Sequence, residues 1–304
     1  MLQYFRSTSR QLDITPQDDL KAGTWVRSDK PSEAERQALM DLGIDEDILL
    51  DTLDPHEVPR VEADDGWTYF ITRLPDTDDE FNDFTTPVLF AIGTEHIVTV
   101  SRDSLGRLWQ PFIDKTKAPT TQKTRFFMLM MEAIVSQYHT RVARINRQMR
   151  AATDDVRNLR SRDIATLTEY ERKLNDYLDA LIPTNTAVER LLSGRLLPLY
   201  EDDHDLVEDL SIDLEQLMSR CKSLLRTITN IRDSYRAVID TQLNETVRIL
   251  TVITLALTIP TMMAGLYGMN VDLPGENWPY MFWVVIGISA CSALLLSFYF
   301  LRKR

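Results

Sequence analysis

Four threonines, Thr251, Thr254, Thr258 and Thr261, recur at spacings of three and four within an otherwise apolar stretch. At 3.6 residues per turn this spacing puts their hydroxyls on one face of a helix. Read at every seventh residue, the face extends well beyond them. One row runs Asp209, Gln216, Ser223, Asn230, Ala237, Asn244, Thr251, Thr258 and Gly265. A second, three residues on, runs Ser219, Arg226, Asp233, Asp240, Val247, Thr254, Thr261 and Gly268. Nearly every member is small or polar. Hydroxyl oxygens on one face of an apolar helix either line a water-filled path or, being small, let helices pack closely. The row continues upstream through charged sequence, which favours a path surrounded by several copies of the helix. A seven-residue row drifts by ~20° per heptad on a straight helix. It therefore stays on one axis only if the helices supercoil or its members take turns.

Acidic side chains concentrate at Glu201-Asp202-Asp203-His204-Asp205, followed by Glu208 and Asp209. Carboxylates suit hard cations such as Mg2+, which keeps much of its water. Acids at a helix start also complement the helix dipole, and that is the reading for 201–205. Asp209 is set apart because it heads the row. The net charge of -12 argues against nucleic acid, whose phosphates need a basic surface. Cys221 and Cys291 form no disulfide framework or zinc motif, and His56, His96, His139 and His204 are scattered. No nucleophile–base constellation or phosphate loop is evident, so an enzyme is not expected.

The elements that must carry these residues divide the chain sharply. Charge is 26% overall, yet from Val247 to Leu301 the charged residues are only Arg248, Asp272 and Glu276. Residues 247–267 and 281–301 are each long enough for a bilayer core, which needs roughly 20 helical residues. Arg302-Lys303-Arg304 follows the second stretch. Positive residues favour the cytoplasmic side, so the expectation is two spans with both termini cytoplasmic. Loop 268–280 then faces outward, with Trp278, Tyr280 and Trp283 at the membrane edge. The N-terminus lacks a signal-peptide core. Pro260 reads as a tolerated kink, its freed carbonyl satisfied by neighbours and threonine hydroxyls.

Residues 1–118 read as an α/β unit. Gly66 to Leu74 alternates as a strand, and Pro87 to Gly93 with His96 to Val100 reads as a hairpin turning near Gly93-Thr94. Ser32 and Glu35 signal a capped helix to Leu42. Residues 119–200 read as long helices, one from Thr120 to about Arg160 and one from Asp163 to about Leu192, the latter interrupted at Pro183. Residues 201–267 follow as a helix entering the first span, since no glycine precedes Gly265 and no proline precedes Pro260 from Leu206 on. About 60 such residues would be about 90 Å long.

The segment Tyr267-Gly268-Met269-Asn270, closing one span and followed by a second at the C-terminus, resembles the CorA family of magnesium channels. Pro59-Arg60-Val61-Glu62 also looks like a family segment. The resemblance implies an α+β cytoplasmic domain with long helices, two C-terminal transmembrane helices and a pentameric funnel in the cell membrane. It implies Mg2+, and possible Co2+ or Ni2+, as transported ion. It implies an asparagine ring at the pore mouth, here Asn270, binding hydrated Mg2+ beside Gly268 and Met269. Distances back from this motif put pore positions at Asn244, Val247, Thr254, Thr258, Thr261 and Gly265. The resemblance further implies regulatory Mg2+ sites between subunits, one carboxylate falling on Asp209 and its partner on Asp78 or Asp76. The loop Val271 to Glu276 departs from the Met-Pro-Glu-Leu of many members, and Pro260 stands one position from some members' proline. A zinc transporter of the same superfamily is the alternative, though Met269 rather than valine favours magnesium. The second alternative is a non-transporting membrane scaffold or sensor.

Overall fold

The computed structural model describes residues 2–77, 83–153, 161–197, 199, 201–269, 275 and 278–302, with the side chains of 152, 153, 161, 201, 202, 297 and 299–301 left aside. The chain divides into two compact units, Met1–Ile231 and Arg232–Arg304.

The first unit is built on one sheet of β1 (Gln3–Thr8), β2 (Gln11–Gln17), β3 (Trp25–Asp29), β4 (Arg60–Asp64), β5 (Trp67–Thr77), β6 (Asp83–Ile92) and β7 (Ile97–Ser101), in the order β2-β1-β3-β7-β6-β5-β4. All neighbours are antiparallel except β3 and β7. Strand side chains alternate between faces, and both faces here are covered. Tyr69, Ile71, Leu89, Ala91 and Val98 pack with Leu39, Ile48 and Leu49 of α1 (Glu33–Asp41) and α2 (Glu46–Thr52). Phe70, Leu74, Val88, Phe90 and Ile92 belong to the larger core with α3 (Gly106–Lys115), α4 (Lys123–Thr153), α5 (Ser161–Leu192) and α6 (Glu201–Tyr267). Covering both faces explains why β5 to β7 read as near-continuous apolar runs.

The local signals work as their chemistry requires. Ser32 accepts from the Glu35 backbone N–H, and Glu35 reaches back to the Ser32 N–H, a complete capping box. β6 and β7 pair from Ile92↔Ile97 to Val88↔Ser101, and the Gly93 N–H donates to the His96 carbonyl. The expected break at Pro183 is absent, because α5 runs through it. Proline removes one N–H bond, but buried Ala180, Leu181, Ala187 and Val188 hold the helix against the core on either side. The Thr184 hydroxyl donates to the Ala180 carbonyl at 2.8 Å. α4 starts later than Thr120, because the buried Thr120 is held by β1: its N–H donates to Ser7 Oγ at 2.9 Å.

α6 in this unit is amphipathic. Val207, Leu210, Leu214, Leu217, Cys221, Leu224 and Ile228 are buried, while Asp209, Gln216, Ser223 and Asn230 are exposed. Burial pushes the Cys221 thiol up to about 12. In the native protein at pH 8, Cys221 is therefore expected to resist a water-soluble maleimide and to react only after denaturation. Mass spectrometry showing prompt native labelling of Cys221 would refute its burial.

In the second unit α6 continues to Tyr267 and is followed by α7 (Met281–Arg302). Among the described residues α6 alone is long and apolar enough to cross a membrane, and almost none of its apolar stretch is buried. Met281–Leu296 of α7 is a shorter apolar stretch. Such apolar surface with no protein over it is the mark of a helix solvated by lipid or by other chains.

Candidate functional site

The threonine face is internally satisfied. The hydroxyls of Thr251, Thr254, Thr258 and Thr261 donate to the carbonyls of Val247, Leu250, Thr254 and Leu257, at 2.8, 2.9, 2.8 and 2.8 Å. A hydroxyl has one donor and two acceptor lone pairs. With the proton committed to the helix, each oxygen presents only acceptor capacity outward. All four threonines are exposed, as are Asn244, Val247 and Gly265. Pro260 sits inside α6 and removes the N–H partner of the Ala256 carbonyl. The neighbouring hydroxyls do not repair this, because Thr258 and Thr261 serve other carbonyls. After Tyr267 the chain tightens: the Gly268 N–H donates to the Ala264 carbonyl at 3.0 Å and the Met269 N–H to the Leu266 carbonyl at 3.3 Å. Met269 is exposed. Asn270 lies outside the described residues.

Asp209 is exposed on α6, where Asp209 and Asp213 raise the Glu132 carboxyl above its usual range, an effect led by Glu132's own desolvation. His139 of α4 pairs with Asp213 at 2.8 Å. Glu132, Asp213 and His139 were invisible to sequence reasoning, since α4 and α6 meet only through the fold. Asp76, half-buried near the end of β5, accepts from the Thr77 N–H at 2.8 Å. Asp78 lies outside the described residues. The pairing expected of Asp209 with Asp76 or Asp78 is one between copies of the chain. The end of the β5–β6 hairpin is nonetheless tied down. Asp83 Oδ1 lies 2.6 Å from Arg141 Nη1 of α4, and its Oδ2 lies 3.2 Å from Lys173 Nζ of α5. Arg141 also donates to the Thr77 hydroxyl at 2.7 Å. His204, Asp205 and Glu208 bring ligand atoms within 4.8 Å of one another, all exposed on α6.

A raised carboxyl favours folding while protonated, and that contribution is lost as pH rises through the folded-state value. Ionised Glu132 therefore works against the fold at neutral pH. Glu132→Gln is expected to melt at or above the native protein at pH 7, with the gap closing at pH below the ordinary carboxylate range. A Glu132→Gln melting temperature clearly below the native one at pH 7 would contradict this arrangement.

The first unit is a sheet-based α/β fold, and α6 carries an apolar stretch long enough to cross a membrane with four exposed threonines on it. Residues 21–304 match the family described as CorA-like Mg2+ transporter protein, and the chain belongs to this family of divalent-cation transporters. A cobalt/magnesium transport protein CorA of Methanocaldococcus jannaschii is 24% identical over 92% of this chain and 90% of its own length. The complete structure of the CorA magnesium transporter from that organism superposes with a TM-score of 0.87 at 20% identity, covering 100% of this chain and 98% of that one. The ZntB cytoplasmic domain from Vibrio parahaemolyticus shares the fold more distantly, with a TM-score of 0.65 at 10% identity over 79% of this chain and 98% of that one.

Proposed function

We propose that this chain is a Mg2+ channel, several identical copies of which surround one axis as a pentameric funnel in the cell membrane. In this reading residues 1–118 and 119–200 are cytoplasmic, 201–267 enters the membrane at about 247, 268–280 faces outward, 281–301 recrosses, and 302–304 ends in the cytoplasm. The observation that carries the proposal is the outward acceptor face of Thr251, Thr254, Thr258 and Thr261. Mg2+ dehydrates reluctantly and moves with water bound. Those waters point their hydrogens outward, so a lining that offers acceptors stabilises the hydrated ion without stripping it. Asn270 admits the ion through its amide oxygen. Gly268 and Gly265 leave room beside the path, and Asn244 and Val247 continue it.

Regulation is assigned to Asp209, meeting Asp76 or Asp78 of a neighbouring copy. The crowding of Asp209 with Asp213 and Glu132 supports it, because a divalent cation relieves like-charge repulsion. Mg2+ bound better by the closed assembly shifts the population toward it, and falling internal Mg2+ releases it. The deciding experiment is uptake into proteoliposomes. Mg2+ entry without need of a pH gradient is the expected result. Zn2+ entry driven by a pH gradient, with no Mg2+ entry, would assign the chain to zinc transport, and no cation entry at all would leave only a scaffold or sensor.

A further inference from the structure

A cavity of about 720 Å³ opens in the first unit between the start of α4, the start of β5, the end of β6 and the start of α6. Its size falls within the roughly 300–1,000 Å³ typical of small-molecule sites. Among the residues lining it are Lys123, Thr124 and Arg125 of α4, Asp203 of α6, and the apolar Ile92 and Leu197. Two features of this lining are at odds with ordinary helix design. Helix starts favour carboxylates, but the first turn of α4 has no acidic residue and carries Lys123 and Arg125. Positive dipole end and cations thus converge, a ready setting for a phosphate. The Lys123 ammonium donates to the Thr94 carbonyl, which holds it at the cavity. The second feature is Asp203. It is only 7% exposed and has no hydrogen-bond or ion-pair partner among the described residues. A surface acid in the first turn of α6 would be explained by the dipole of α6 alone. An acid so little exposed, without a protein partner among the described residues and lining the cavity wall, presents its carboxylate to whatever cation or donor enters the cavity.

One class of ligand meets both demands. A phosphate chain takes the α4 end, Lys123 and Arg125, and a divalent cation on that chain takes the Asp203 carboxylate, since Mg2+ binds carboxylate and phosphate oxygens together. A bare phosphate would leave most of 720 Å³ unfilled. We propose that this cavity binds a magnesium-bound polyphosphate, with a nucleoside di- or triphosphate as the occupant whose base rests on Ile92 and Leu197. The site is separate from the proposed ion path, and its failure would leave that reading standing.

The test is equilibrium binding of radiolabelled ATP to the full-length protein in nanodiscs, with Mg2+ and with EDTA, and with pyrophosphate as competitor. Saturable binding that requires Mg2+ is expected. Lys123→Gln and Arg125→Gln each weaken it about tenfold, in line with loss of a charge-assisted contact. Asp203→Asn removes most of the Mg2+ dependence. Unaltered melting temperatures and basal Mg2+ flux in the Lys123 and Arg125 variants show that the fold is intact. Competition by pyrophosphate as tight as by unlabelled ATP would keep the phosphate chemistry and overturn the nucleoside assignment. Absence of ATP binding, or binding indifferent to all three substitutions, overturns the proposal.

Discussion

Valine at Thr254, Thr258 or Thr261 is expected to slow Mg2+ uptake into proteoliposomes by about tenfold or more at each position. Valine keeps the shape of threonine and exchanges only the hydroxyl for a methyl. In the native helix that hydroxyl spends its proton on the carbonyl four residues back and leaves its lone pairs outward. A hydrogen bond to a charged group contributes about 1.5–3 kcal/mol, and each 1.36 kcal/mol on a barrier is tenfold in rate. In an assembly of identical chains one substitution removes a whole ring of acceptors, so the loss compounds. Ile259→Val, about 100° round α6 from Thr258, changes bulk but no acceptor and is expected to leave uptake near the native rate. Equal losses at Ile259 and Thr258 would mean that packing, not oxygen chemistry, governs the face.

Trp25→Ala is expected to lower the melting temperature of the detergent-solubilised protein by about 6–20 °C. Trp25 is fully buried on β3, in the one parallel pairing of the sheet, opposite Ile97. Its ring lies 5.1, 5.6 and 5.5 Å from those of Phe5, Trp109 and Phe126, and its Nε1–H donates to Thr99 Oγ1 at 2.9 Å. It therefore ties β1, β3, β7, α3 and α4 into one cluster. Tryptophan truncation in a core typically costs about 3–5 kcal/mol, and each kcal/mol shifts melting by about 2–4 °C in a unit of this size. Trp25→Phe retains most ring contacts and is expected to fall between. Melting of Trp25→Ala within about 2 °C of the native protein, the least that one kcal/mol would give, would show that the cluster is not central.

How much of this was legible beforehand depended on whether the signal was local. The Ser32–Glu35 cap, the β6–β7 hairpin and the unbroken helix after Leu206 are written in adjacent residues and could be read directly. β1, β2, β3 and β4 were missed: Gln11–Gln17 at the sheet edge and the neighbouring Gln3–Thr8 mix polar and apolar residues and are only partly buried, and Trp25–Asp29 and Arg60–Asp64 are only five residues each. Pro183 misled in the other direction, since tertiary burial of its neighbours outweighs one lost N–H bond. For the site, the periodic row was visible because a helix turns sequence spacing into a face. The proton bookkeeping of its threonines was not, since it depends on rotamers. The Asp83–Arg141–Lys173 tie and the Glu132–Asp209–Asp213 crowd join residues far apart in the chain, and only the packing of α4 and α5 on the sheet and on α6 brings them together.

In the proposed function Mg2+ passes along the acceptor face of α6 and is admitted at Asn270. This route is tested most directly by comparing initial Mg2+ influx into proteoliposomes holding equal amounts of the native protein and of Asn270→Ala. Rapid, saturable influx is expected for the native protein and influx near the protein-free background for Asn270→Ala, with assembly size unchanged by light scattering. Full-rate Mg2+ influx through correctly assembled Asn270→Ala would contradict it.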